Sequence, residues 1–196
     1  MVVSGANIAG GNSAYGRVTD DYYATPPEAV RKLLAVHDFK QGGRILEPCV
    51  GAGHIANCLS DYGDVTALDI VDRGYPGTII QDFLAWETDQ RYDTIITNPP
   101  YMLAARFITK CMSLLSENGQ LAMFLKIQFL EGANRRELFE MFPPRYVYVF
   151  RRRISAWNNG LSLNPATGRK WASTMTFAWY VWQNGSRAEP VIRWID

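Results

Sequence analysis

The chain has 196 residues, 47% of them hydrophobic, 20% charged and 13% aromatic, which suits one domain with a single core and excludes a disordered chain. No apolar run approaches the roughly 20 residues that cross a bilayer, and the opening MVVSGANIAGGNSAYG has neither the basic start nor the apolar core of a secretion signal. The formal net charge of +1 conceals an asymmetry: residues 1–125 carry 9 basic and 14 acidic side chains, residues 126–196 carry 11 and 5, so a basic face for phosphates is expected in the last third.

In chain order, residues 1–19 are rich in Gly, Ser and Asn and read as a flexible N-terminal segment, leaving 20–196 as a single domain. The string TPPEAVRKLLAVH predicts a helix, with Thr25 as cap, Pro26 in the first helical position and Glu28 completing a capping box. Strands are predicted at 44–47, 65–70, 78–81, 92–97, 120–125, 145–150 and 174–182, with helical spacing at 54–62, 102–117 and 132–142. Strand and helix alternate from 44 to 150, the pattern of an α/β fold with a parallel sheet. The run at 174–182 follows a strand with no helix between, and reads as an antiparallel partner of 145–150. Cys49, Cys58 and Cys111 form no CxxC pair, so the sequence predicts free thiols, no structural metal and a reducing cytoplasm.

The first strand of the alternation ends in ILEPCVGAGHIA, placing Glu47 and Pro48 before a turn through Gly51 and Gly53. Glycines there let a ligand approach the backbone, and GAGHIA also satisfies the dinucleotide-binding pattern. Asp69, 22 residues after Glu47, ends the next strand beside Ile70, where a carboxylate suits the hydroxyls of a ribose. Asp82 and Phe83 follow the third strand and offer an acceptor and a ring to a purine, although Asp82 equally suits a turn.

The fourth strand ends in TNPPY, the most specific string in the chain. Consecutive prolines remove two N–H donors and leave the Asn98 side-chain oxygen and the Pro99 carbonyl as acceptors, a pair suited to an amino group on a planar system. Pro100 fixes the turn, and Tyr101 offers a ring on which a flat substrate stacks. Between the last two predicted strands lies a long connection, 151–173, in which Arg151, Arg152, Arg153, Arg169 and Lys170 are interleaved with Trp157 and Trp171. Loops of that length are uncommon without a function, and basic plus aromatic side chains suit a phosphate backbone with unstacked bases.

From about Tyr22 to Trp182 the sequence resembles the S-adenosylmethionine-dependent amino-methyltransferases, above all the adenine-N6 DNA methyltransferases and their compact phage-like members; LEPCVGAG, DF and NPPY carry the resemblance. It implies a Rossmann-like class I methyltransferase fold with a seven-stranded, mostly parallel sheet whose final strand is antiparallel. It also implies S-adenosyl-L-methionine as cofactor and no metal. Tyr23, Thr25 and Pro26 of YYATPP would close over the methionine end of the cofactor, with Glu47, Pro48, Gly51, Gly53, Asp69, Ile70, Asp82, Phe83 and Asn98 forming the rest of its site. Asn98, Pro99, Pro100 and Tyr101 would then carry the transfer to a base flipped out of its stack. A separate recognition domain is not expected, so low or short sequence specificity is, with DNA as partner. RNA adenine-N6 and protein glutamine-N5 transfer are the alternatives in the same chemistry. A non-catalytic nucleic-acid-binding subunit and an NAD-dependent oxidoreductase are the alternatives outside it.

Overall fold

The computed structural model describes residues 22–171 and 175–196. The segment 1–19 and positions 172 and 173 of the basic loop lie outside the described residues. The elements are β1 (Tyr23–Ala24), α1 (Pro27–Leu34), β2 (Gly43–Glu47), β3 (Gly63–Asp69), β4 (Ile79–Ile80), β5 (Tyr92–Thr97), α2 (Ala104–Leu114), β6 (Leu115–Lys126), α3 (Arg136–Met141), β7 (Tyr146–Phe150), β8 (Trp157–Asn158), β9 (Phe177–Gln183) and β10 (Val191–Ile195). Among the described residues eight strands form one sheet in the order β10-β7-β9-β6-β5-β2-β3-β4, and β1 pairs with β8 in a separate ribbon.

β9 is antiparallel to both β6 and β7, the pairing with β7 being the one expected from the lack of a helix between the two runs; every other pair in the main sheet is parallel. A strand flanked on both sides and covered on both faces needs no polar alternation. FAWYVW is accordingly buried from Phe177 to Trp182. Trp179 turns to the α1 face and donates its indole N–H to Ala29 O at 2.9 Å, while Trp182 turns to the α2–α3 face and donates to Phe142 O at 3.0 Å. Each large ring is thus tied to a helical neighbour by its one polar atom.

Three sequence expectations change. The main sheet has eight strands, not seven, and the chain ends on β10, which is parallel to β7. β10 escapes the pattern because it is an edge strand with Ile192 and Trp194 exposed, so its apolar residues do not report burial. The helix expected at 54–62 reduces to a single 3₁₀ turn, Ala56–Cys58: Ile55, Ala56 and Leu59 still reach the core, but Asn57, Cys58 and Ser60 favour helix poorly. Finally, Thr25 does not cap α1. Pro26 takes the cap position, Pro27 begins the helix, and the Thr25 hydroxyl is buried without a hydrogen-bond partner.

The parallel strands bring Glu47, Asp69 and Thr97 to one carboxyl edge, the place where open α/β sheets bind ligands. Amphipathic α1 buries Ala29, Val30 and Leu33 on one face of the sheet. Helix α2 buries Phe107, Ile108, Cys111 and Leu114 on the other.

Candidate active site

A pocket of about 900 Å³, counting its open mouth, lies over the carboxyl ends of β2, β3 and β5. The Tyr22–Thr25 segment lies along it as a strap. Of the residues expected to hold a cofactor, Tyr23, Thr25, Glu47, Pro48, Asp69, Ile70, Asp82, Phe83 and Asn98 line this pocket. Pro26, Gly51 and Gly53 do not. Both glycines adopt left-handed backbone, with φ of 54° and 82°. The space beside them is filled by protein: a Cβ on Gly51 would meet the Tyr22 ring at 2.5 Å, and one on Gly53 would meet Tyr75 at 2.2 Å.

Glu47 is 1% exposed and its Oε2 has no hydrogen-bond partner. Burial pushes its carboxyl well above the usual range, opposed by the backbone N–H of Ala56 and reinforced by the nearby negative charge of Asp69. A buried carboxylate oxygen with nothing to bond is an open seat for a cation. Thr25 Oγ1, buried and unpartnered in the same pocket, is an open seat for a polar group beside it. Together they suit a ligand that carries a cation beside a polar group.

Asp69 accepts the Gly51 N–H at 2.7 Å through one oxygen and the Val71 N–H at 3.0 Å through the other. The carboxylate therefore holds the glycine loop to the end of β3, and each oxygen keeps a lone pair for a hydroxyl. Asp82 accepts the Leu84 N–H at 2.9 Å, closing the turn that the sequence left as one of its two options. Phe83 is 2% exposed and packs on Phe107 with ring centroids 5.0 Å apart, so it joins the core as well as the pocket wall. Ile70, 65% exposed, supplies apolar surface at the rim.

Asn98, Pro99, Pro100 and Tyr101 all line the pocket. The Asn98 Nδ2 donates to Tyr23 O at 2.7 Å. A carbonyl requires a donor, so this bond fixes which end of the amide is which and leaves Oδ1 as the acceptor toward the site. Tyr101 is more crowded than the sequence suggested. Its ring lies 6.5 Å from that of Tyr23 and 5.9 Å from Phe177, and the Lys126 ammonium stands 5.0 Å from its centroid.

The basic loop divides. Arg151 pairs with Asp196 at 3.5 Å, and Arg151, Arg152 and Arg153 are exposed beyond the carboxyl end of β7. Arg169 and Lys170 are exposed at a distal turn, where Lys170 bridges to Leu163. Trp171 donates its indole N–H to Leu161 O at 2.6 Å. Trp157 belongs instead to β8, edge-on to His54 at 5.5 Å. The structure thus separates Trp157, packed against the pocket residue His54, from the exposed cations of the same loop.

Sequence reasoning missed His54, Arg73 and Cys49 as pocket residues. The Arg73 guanidinium lies 4.2 Å from the Tyr22 ring centroid, and the Tyr22 hydroxyl accepts the Ala52 N–H at 3.1 Å. His54 sits inside GAGHIA and was legible as a loop neighbour. Arg73 carried no local signal. No helix among the described residues is long and apolar enough to cross a membrane.

No family profile matches the chain. It is 28% identical over 138 residues to a type II methyltransferase of Paramecium bursaria Chlorella virus XZ-6E, covering 54% of this chain and 36% of that protein. It is 25% identical over 197 aligned positions to a type II methyltransferase of Thermus thermophilus, covering 71% of this chain and 46% of that protein. The chain therefore spans less than half the length of these curated relatives. Among solved structures, it is similar to the methyltransferase subunit of a type I restriction-modification system from Streptococcus thermophilus, with a TM-score of 0.64 and 13% identity over 87% of this chain and 47% of that one. It is also similar to an S-adenosylmethionine-dependent O-methyltransferase from Thermotoga maritima, with a TM-score of 0.58 and 16% identity over 86% and 69%. The fold is that of the class I methyltransferases, and the sequence relatives are type II methyltransferases.

Proposed function

We propose that this chain is an S-adenosylmethionine-dependent methyltransferase that acts on the N6 amino group of adenine in DNA, with little or short sequence specificity. The observation that carries the reading is the aimed amide of Asn98, whose nitrogen is committed to Tyr23 and whose oxygen is left to accept. Support for the cofactor comes from the two unpartnered buried groups, Glu47 Oε2 and Thr25 Oγ1, in one pocket with Asp69. Support for a nucleic-acid acceptor comes from the type II methyltransferase relatives and the exposed arginines beside the same sheet edge. The three free cysteines agree with a reducing, cytoplasmic setting.

In this reading Glu47 pairs with the cofactor ammonium, Thr25 bonds its amino-acid end, Asp69 accepts from the ribose hydroxyls, and Ile70, Asp82 and Phe83 flank its adenine. The cofactor supplies a methyl group carried on a sulfonium, already electrophilic. Asn98 Oδ1 and the Pro99 carbonyl accept the two hydrogens of the target amino group. That leaves the nitrogen lone pair less conjugated with the ring and directed at the methyl carbon. Positioning is the main contribution of the protein, and it is worth most when the acceptors are fixed in advance. No metal is needed for this chemistry.

The test is a transfer assay with methyl-labelled S-adenosylmethionine on single- and double-stranded DNA, RNA and protein, followed by digestion. N6-methyladenine in the DNA arm is expected. Label only in RNA adenine or in glutamine would move the activity to those acceptors. No label in any arm, with no cofactor binding, would sink the enzyme reading.

A further inference from the structure

The basic loop does not stay on the acceptor side of the site. After Arg153 it returns to the pocket, where β8 pairs antiparallel with β1, Trp157 opposite Ala24 and Asn158 opposite Tyr23. The next residue, Asn159, donates its N–H to Tyr22 O at 3.0 Å. The turn is closed by Gly160 N–H to Trp157 O at 3.2 Å, with Asn159 and Gly160 both left-handed at φ 53° and 72°. A Cβ on Gly160 would stand 3.1 Å from the Tyr22 ring and 3.6 Å from His54. Every strap residue held this way, Tyr22, Tyr23 and Ala24, lines the pocket, as does His54 under the edge of Trp157.

A ribbon of two residue pairs is marginal by itself, so its contacts decide whether the strap stays in place. On its other side the strap is tied to the cofactor loop by the Tyr22 hydroxyl and Ala52, and to the reacting end by Tyr23 O and Asn98. We propose that the Trp157–Gly160 turn is a positioning element of the cofactor site: it holds the Tyr22–Ala24 strap, and through it the strength of cofactor binding and the aim of Asn98. The inference rests on the cofactor reading above. It departs from a loop that serves the acceptor alone, because it makes cofactor affinity depend on this turn with no nucleic acid present.

Asn159 is the residue to change. Asn159→Pro removes the N–H donor and cannot adopt φ 53°, whereas Asn159→Gly keeps the donor and favours that backbone. Binding of S-adenosylhomocysteine is measured by calorimetry without nucleic acid. Asn159→Pro is expected to weaken it about tenfold, the scale of one lost backbone hydrogen bond, and to lower kcat at saturating cofactor and oligonucleotide. Asn159→Gly should stay at wild-type values in both. Gly160→Ala, a milder change that crowds Tyr22, should fall between them, and it decides the matter if the proline variant does not fold. Wild-type S-adenosylhomocysteine affinity in the folded Pro and Ala variants, with only oligonucleotide binding reduced, overturns the proposal. Wild-type protein that binds no S-adenosylhomocysteine overturns the cofactor reading itself.

Discussion

The side-chain amide of Asn98 is held by the backbone carbonyl of Tyr23, 75 residues earlier in the chain, through a 2.7 Å hydrogen bond. The bond takes the donor end of the amide out of the site and leaves the acceptor end within it. Asn98→Ala should therefore lower kcat by about 10²–10³, the usual loss for one preorganised polar group, while S-adenosylhomocysteine binding weakens by no more than about tenfold, the scale of the one strap hydrogen bond lost with the amide. Asn98→Asp should be no better, since a carboxylate oxygen would then face the Tyr23 carbonyl. Equal loss of binding and turnover in Asn98→Ala would mean the residue serves the cofactor and not the transfer.

Glu47 links proton release to cofactor binding. Its carboxyl is raised well above 4.5 by burial, so the cofactor-free protein binds a proton that the unfolded chain has released. The stability of the cofactor-free protein therefore declines as pH rises above the ordinary carboxylate range. A bound ammonium favours the ionised form and lowers that pKa, so cofactor binding should release protons and strengthen with rising pH. Calorimetry in buffers of different ionisation enthalpy measures that release. Glu47→Gln should remove it and weaken binding by about 10- to 100-fold, the worth of a charge-assisted bond. Unchanged proton release in Glu47→Gln would assign the titration elsewhere.

The exposed arginines beyond β7 should contribute through phosphate contacts. Replacing Arg151, Arg152 and Arg153 with Gln should weaken oligonucleotide binding and reduce the slope of log K against log salt, by up to about 0.7–0.9 for each lost contact. Cofactor affinity should not change. An unaltered salt slope would leave these side chains as solvated surface, with Arg151 paired to Asp196 at 3.5 Å.

His37 predicts the acid limit of the fold. It is 7% exposed, hydrogen-bonded to the Tyr148 hydroxyl at 2.8 Å and to the Gln120 amide at 3.2 Å. Burial lowers its pKa to about 4, against the opposing pull of Asp38 and with some help from Arg193. The unfolded chain therefore binds the extra proton between pH 6.5 and 4, and stability falls across that window by up to about 3 kcal/mol. Thermal unfolding should show the decline, and His37→Gln should flatten it. A slope just as steep in that variant would place the titration on another group.

The short strings of the chain determined much of this protein. LEPCVGAG, Asp69, the DF pair and NPPY are local, because each needs only a few consecutive residues to shape a strand end and its turn. The α/β alternation was legible for the same reason, since the apolar period reports which face of a segment is buried. Edge strand β10 and the shortened 54–62 turn were not, because exposure and poor helix formers break that correspondence.

Three-dimensional packing alone decided who faces whom. Nothing in the sequence pairs Asn98 with Tyr23, lays Arg73 over Tyr22, or leaves Glu47 Oε2 buried without a partner, since each depends on groups brought together across the sheet edge. By composition the chain is almost neutral, with a basic last third. The structure splits that third, placing Arg151–Arg153 in solvent and the Trp157–Gly160 turn against the strap of the pocket. Charge is a property of composition, but its use depends on where long-range contacts carry the chain.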